Sequence, residues 1–482
     1  MVSLAQKTTN GVVWSTIQRI VVMGVTFISN VVLARILSPE DFGCIAMLMI
    51  FIGLSNTFID SGFGSALIQK KEPTPVDYST IFYWNLFLSF FLYGVLFFCA
   101  PLVAQFYNMD LLTSVLRVQG IVLILNALSI IQQNQLRKKL EFKILALVNI
   151  VSSVLSLLIA ILTAVYGWGV WSLVAQQLSL SALNAVLFFV VTRWRPLCIF
   201  SGQSFRGLFK FGGFILLSNL FSTLSNEIQS LLVGRMFSPA TLGLYNQAYR
   251  LEGSAANVVS DITNQVTYPV LSSLQDDRDR LKNAFKKFIQ LPAYICCPIM
   301  AFIIVAAKPI IIFIYSEKWV GSTPYLQILC LAGLAVCLQG PANQAITAIG
   351  KSKVFFIWTI IKRTLTIILC VAGILIAGMK GLLIGSVIGT WAVYIINGFL
   401  VERHIGYSLI KQIMDILPYV ILSIVIGGLA TLLGGFLSLN MYVVAILQLL
   451  FISLLYIGVS YLFKFECLTF MVNLINKRIF KG

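Results

Sequence analysis

The chain has 482 residues, of which 59% are apolar and only 11% charged, and its mean hydropathy is +0.93. A soluble domain is about 25% charged; a chain this apolar has too little polar surface to cover itself, so lipid is its main solvent. A formal net charge of +17 would point a soluble protein toward nucleic acid, but in a membrane protein the position of Lys and Arg matters more than their sum, and no nucleic-acid partner is expected.

A bilayer core about 30 Å thick needs roughly 20 apolar residues per helix, and about fourteen such segments follow one another along the chain. They run near 12–34, 42–66, 80–104, 112–133, 143–166, 168–191, 207–234, 242–270, 288–312, 325–348, 354–377, 380–401, 416–436 and 441–463. The connections are short, so the expected architecture is a single all-α polytopic bundle. The first segment carries Arg19 and runs past Asn30 without a cleavage site, unlike a removable signal peptide.

Basic residues orient the bundle. With the N-terminus in the cytoplasm, the cytoplasmic connections collect Lys70, Lys71, the Arg137-Lys138-Lys139 run, Arg278, Arg280, Lys282, Lys286, Lys287, Lys477 and Arg478. Only Arg35, Arg235, Lys308, Lys318 and Lys380 fall outside. The positive-inside rule then places both termini in the cytoplasm.

Several chemistries are disfavoured. His404 is the sole histidine, which argues against Ser-His-Asp, Cys-His and multi-His metal sites. The nine cysteines sit mostly in apolar runs without CxxC spacing and read as small core residues. No GxxxxGK[ST] loop is present, so ATP is not the expected energy source. Neither a cofactor nor a metal is expected.

An internal repeat organises the chain. Val31-Val32-Leu33-Ala34-Arg35-Ile36-Leu37-Ser38-Pro39 is echoed by Leu231-Leu232-Val233-Gly234-Arg235-Met236-Phe237-Ser238-Pro239, and Gly43 matches Gly243 at the same offset. Ser-Pro is expected to stop one helix at the outer surface, and the glycine to admit a tight reversal into the next. The offset spans six segments, so both copies enter the membrane with one polarity. A pseudo-twofold axis along the membrane normal follows. The expected halves are 1–200 and 201–402, two six-helix bundles, with 403–482 adding two helices and a cytoplasmic tail.

Polar residues inside the apolar segments fall in helical stripes. Thr16, Arg19, Met23, Thr26 and Asn30 share one face; Asn219, Thr223, Asn226 and Ser230 repeat it 200 residues on. Asn246, Arg250, Ser254, Asn257, Asp261 and Asn264 form a third stripe, and Thr359, Lys362, Arg363 and Thr366 a fourth. A charge at the bilayer centre costs at least about 2.5–3.5 kcal/mol, so these residues should face protein or water. They serve either as interhelical hydrogen bonds or as the walls of a polar cavity between the halves. In the cavity reading, Arg19, Arg250, Lys362 and Arg363 bind an anionic group, because guanidinium holds phosphate bidentately and stays charged. Thr26, Asn30, Asn219, Asn226, Asn246 and Asn257 suit a hydroxyl-rich one. The acids Asp60, Glu227, Glu252 and Asp261 either neutralise the arginines or couple transport to an ion.

Short motifs carry a family resemblance. Arg35-Ile36-Leu37-Ser38-Pro39-Glu40-Asp41-Phe42-Gly43 resembles the helix 1–2 turn of Wzx-type polysaccharide flippases, members of the multidrug/oligosaccharidyl-lipid/polysaccharide exporter superfamily. Tyr166-Gly167-Trp168-Gly169-Val170-Trp171-Ser172-Leu173-Val174, Thr241–Leu251, Pro269–Asp277 and Tyr325–Cys330 are similar in the same order. The resemblance implies a MATE-like fold in the bacterial inner membrane and no enzymatic activity. It implies alternating-access flipping of undecaprenyl-pyrophosphate-linked oligosaccharide for O-antigen, capsule or exopolysaccharide synthesis. Its partners would be that polyprenyl-linked substrate, membrane lipid and other polysaccharide-assembly proteins. It also implies that basic residues of helices 1 and 8, here Arg19 and Arg250, face the cavity. Two alternatives stay open. A drug/cation antiporter of the same superfamily would offer acids to its substrate. A polytopic glycosyltransferase or polymerase would need a larger outer connection than the one around 308–324.

Overall fold

The computed structural model describes residues 4–60 and 62–469; the side chains at 4–9, 210–211, 214–215, 257–258, 261–262, 264–265, 352–353 and 355–356 lie outside that description. Lys477 and Arg478 of the expected cytoplasmic tail also lie outside it. The described residues contain helices and no β-strand. In chain order the helices are α1 (Leu4–Ile36), α2 (Pro39–Asp60), α3 (Phe63–Gln69), α4 (Pro75–Tyr107), α5 (Leu111–Gln119), α6 (Ile121–Lys138), α7 (Phe142–Val165) and α8 (Val170–Thr192). There follow α9 (Gly202–Met236), α10 (Pro239–Ser273), α11 (Arg278–Val305), α12 (Ala307–Tyr315), α13 (Thr323–Ala348), α14 (Ser352–Ile405), α15 (Leu409–Phe436) and α16 (Met441–Leu462).

Each apolar segment read from the sequence coincides with one of these helices or a joined pair. Among the described residues, eleven helices or joined helices are long and apolar enough to cross a membrane. α14 contains two of the expected segments. Its backbone breaks at Ala377 and Gly378, where Gly378 takes φ 56, and the two arms fold into a hairpin. A Cβ on Gly381 would overlap the Gly373 carbonyl, and one on Gly385 the Leu369 carbonyl. The spacing Gly381, Gly385, Gly389 thus lays bare one helix face so that two backbones touch, the usual means of packing helices where lipid removes the hydrophobic drive.

The chain divides into two compact units, Met1–Gly243 and Leu244–Gly482. In the first, α9 packs on α2, α3 and α4, and α1 packs on α7. In the second, α11 packs on α13 and α15, and α15 on α16. This division by packing lies at a different place from the repeat boundary near 200. Seven of the nine cysteines, Cys44, Cys296, Cys297, Cys330, Cys337, Cys370 and Cys467, are buried; Cys99 is half-buried and Cys198 exposed.

The repeated Ser-Pro motif acts as a helix start. Ser38 and Asp41 form a reciprocal cap: the Ser38 N–H donates to Asp41 Oδ2 at 2.9 Å and the Asp41 N–H to Ser38 Oγ at 3.2 Å. Pro39 then opens α2, where its missing N–H costs nothing. Ser238 repeats this ahead of Pro239, accepting from the Thr241 N–H at 3.2 Å. The glycines do not make the reversal expected of them. Gly43 and Gly243 lie one turn inside or just beyond the start of α2 and α10, with no positive φ. A Cβ on Gly43 would overlap the Pro239 carbonyl, and one on Gly243 the Pro39 carbonyl. The two copies of the motif therefore cross reciprocally, backbone on backbone, at a point where only glycine fits.

Gly43→Ala is expected to destabilise the protein by about 1–3 kcal/mol through overpacking. Gly24→Ala, on a helix where a Cβ meets nothing within 4 Å, is expected to be neutral or mildly stabilising. Thermal melts of both purified variants check this.

Candidate substrate-binding side chains

The stripe on α1 survives as a partly open face. Arg19 and Thr26 are exposed and Asn30 is half-buried. The Thr26 hydroxyl donates to the Val22 carbonyl at 2.8 Å, so it lies along its own helix. Ser29 beside it is buried and accepts from Gln176 Nε2 of α8 at 2.6 Å. One side of α1 is thus fastened to α8, and Arg19 lies on an exposed side of the helix.

α9 behaves similarly. Asn219 and Asn226 are exposed, Glu227 is half-buried, and Glu227 has interaction partners. Thr223, in the same stripe, bonds Thr57 of α2 at 3.1 Å between hydroxyls. That member of the stripe serves interhelical packing. Asp60 lies at the C-terminal end of α2, exposed, within electrostatic reach of Arg137 at the end of α6.

In the second unit, Arg250 is exposed and Asn246 half-buried on α10. Glu252, two residues on, projects to the opposite side and is 6% exposed. Its Oε1 occupies the space that a side chain on Gly333 of α13 would take, beside Met300 of α11. Among the described residues no ion pair links Glu252 to a base, so it does not neutralise Arg250. Asn257 and Asp261 lie further along α10, with side chains outside the described residues.

The Lys362–Arg363 pair of α14 splits. Arg363 is exposed, whereas Lys362 is 5% exposed in the α14 hairpin seam. Its Nζ donates to Asn397 Oδ1 at 2.7 Å and Asn343 Oδ1 at 3.4 Å. Adjacent residues on a helix point about 100° apart, so one faces the seam when the other faces out. Neither Asn343 nor Asn397 was singled out in the sequence. Asn397 is a lone amide in an apolar run and Asn343 stands beside Gln344 in another; an amide in such a run seeks an interhelical partner. The same pattern marks Asn56–Asn126 at 3.1 Å and Gln119–Gln177 at 2.8 Å in the first unit.

Of the candidate binding residues, Arg19, Thr26, Asn219 and Asn226 are exposed in one unit, and Arg250 and Arg363 in the other. Chemically, a guanidinium fork can hold a phosphate, and an amide or hydroxyl can hold a sugar hydroxyl.

A family described as polysaccharide biosynthesis protein matches residues 32–324. The lipopolysaccharide biosynthesis protein WzxC of Escherichia coli K12 is 25% identical over 445 residues, 88% of each chain. The lipid II flippase MurJ in an inward closed conformation superposes with a TM-score of 0.75 at 16% identity, covering 94% of this chain and 98% of that one. An inward-facing MATE-family multidrug resistance transporter of the MOP superfamily gives a TM-score of 0.62 at 16% identity, over 80% and 95%. With a fold like that of MurJ and of MATE-family transporters and with its long apolar helices, the chain belongs to the polysaccharide biosynthesis protein family and is a multi-pass membrane protein.

Proposed function

We propose that the protein flips undecaprenyl-pyrophosphate-linked oligosaccharide across the bacterial inner membrane by alternating access. The observation that carries this reading is the pair Arg19 and Arg250, exposed guanidinium groups on α1 and α10 of a polysaccharide-biosynthesis transporter. Each guanidinium stays charged in any environment and presents the bidentate fork that a pyrophosphate accepts. The exposed amides Asn219 and Asn226, with Asn246, suit the glycan. Asn30, Asn257 and Arg363 complete the proposed contact set.

The acids fit a drug or cation substrate less well. Glu252 is packed inside the second unit and Asp60 lies at a helix end beside Arg137. Outward movement of an anion is itself favoured by a negative cell interior, by about 2.3 kcal/mol per charge per 100 mV. Ion coupling through Asp60, Glu227, Glu252 or Asp261 is not needed for direction.

Arg19→Ala and Arg250→Ala are each expected to reduce surface glycan by tenfold or more, on the order of the 1.5–3 kcal/mol of a charged hydrogen bond, at near-normal protein level. Lys at either position should restore only part. Immunoblots for glycan and protein in a deletion strain check this, and full export by both alanine variants contradicts the reading.

Lys362 and Arg363 should separate by phenotype. Lys362→Ala leaves the Asn343 and Asn397 oxygens without their donor, and is expected to lower stability by about 1–3 kcal/mol. Arg363→Ala should leave the melting temperature unchanged and weaken transport alone.

A further inference from the structure

A cavity of about 880 Å³ opens in the second unit where α10 ends, α11 begins and the chain leaves α16. Its floor is apolar, formed by Val270, Leu274, Phe288 and Leu291. Its remaining wall is the segment after α16. Lys464 takes φ 50, in the left-handed region, and turns the chain so that Glu466, Cys467 and Thr469 line the opposite side.

Charge is distributed unevenly around it. Arg280, Lys287 and Lys464 line the cavity against one lining acid, Glu466; Arg280 also bridges Asp277, Nε to Oδ2 at 3.1 Å, which engages one edge of its guanidinium. That acid is already engaged: Lys286 Nζ lies 3.6 Å from Glu466 and 3.4 Å from Asp415 of α15. Gln290, a lining residue only 5% exposed, donates to Asp415 Oδ1 at 3.4 Å, and the Tyr407 hydroxyl donates to the same carboxylate. This network ties α11, α15 and the post-α16 segment together, so the cavity has a braced wall with a net positive rim.

We propose that this cavity seats one anionic phospholipid, its phosphate held at the rim by Arg280, Lys287 and Lys464 and an acyl chain resting on Leu274, Phe288 and Leu291. A soluble anion would gain nothing from the apolar floor, and a neutral lipid nothing from the rim. The combination of both at one end of a membrane bundle, the end rich in Arg and Lys, fits a headgroup of the adjoining leaflet. The site is separate from the arginines assigned to transport and holds whatever the transported molecule.

The test uses the full-length protein in detergent with equal amounts of phosphatidylglycerol and phosphatidylcholine, bound lipid being read by native mass spectrometry. Phosphatidylglycerol should be retained about tenfold over phosphatidylcholine. Arg280→Gln and Lys464→Gln should each reduce that preference by about fivefold, with melting temperature and phosphatidylcholine retention unchanged. Both residues lie at the surface; if Arg280→Gln fails to fold, Lys464→Gln carries the test. Millimolar inorganic phosphate should not displace the lipid. Equal retention of the two lipids, no effect of either substitution, or displacement by phosphate would overturn the proposal. So would displacement by undecaprenyl pyrophosphate from the same site, which would make the cavity a station for substrate.

Discussion

The reciprocal crossing of Gly43 on Pro239 and Gly243 on Pro39 is the constraint on which the arrangement of α1, α2, α9 and the start of α10 depends. Each motif first ends a helix with Arg, then caps the next with Ser, opens it with Pro and presents a glycine one turn later. The cap satisfies amide groups that lipid would leave unsatisfied. The glycine lets two helix starts approach until backbone meets backbone. Repetition of the motif at the same offset is therefore more than a mark of duplication: one copy supplies the carbonyl that the other copy's glycine receives, and the reverse. The same device recurs in α14, where Gly381 and Gly385 receive the carbonyls of the facing arm. Close packing in this protein is achieved by removing side chains, as expected where apolar burial yields little against lipid.

Polar residues in the membrane helices divide into two populations, and the division matters for function. Amides and hydroxyls at helix–helix seams pair with each other: Thr57 with Thr223, Gln119 with Gln177, Gln176 with Ser29, Lys362 with Asn397. Those on open faces include the arginines of α1 and α10. Helical periodicity groups both populations into the same stripe, because a seam and an open face can lie within one turn. Burial separates them. Lys362 and Arg363 are neighbours in sequence and belong to different populations.

Much of the fold was legible before the structure because a membrane span is a long, one-dimensional signal. The segments at 143–166, 168–191 and 441–463 nearly coincide with α7, α8 and α16. Breaks inside spans were less visible. The interruptions between α2 and α3, α5 and α6, and α11 and α12 leave the apolar run continuous, since Gly62, Gly120 and Ala306 are themselves apolar or small. The role of Gly43 was misread for a related reason: a glycine after Ser-Pro looks like a turn, and only its neighbour 196 positions away, Pro239, shows that it is a contact. The candidate site was legible as chemistry, an excess of cations and amides, but not as geometry. No spacing in the sequence distinguishes the seam-facing Lys362 from the open Arg363.

The central claim is that this chain carries a lipid-linked anionic glycan by means of Arg19 and Arg250. The most direct measurement reconstitutes the purified protein in proteoliposomes with undecaprenyl-pyrophosphate-linked oligosaccharide isolated from the corresponding deletion strain. Appearance of glycan on the far leaflet is followed with an impermeant lectin under an imposed voltage and no ion gradient. The account predicts protein-dependent flipping that accelerates when the donor side is negative and is lost in the Arg19→Ala, Arg250→Ala double variant. Flipping no faster than in protein-free vesicles, or unchanged in the double variant, would contradict it.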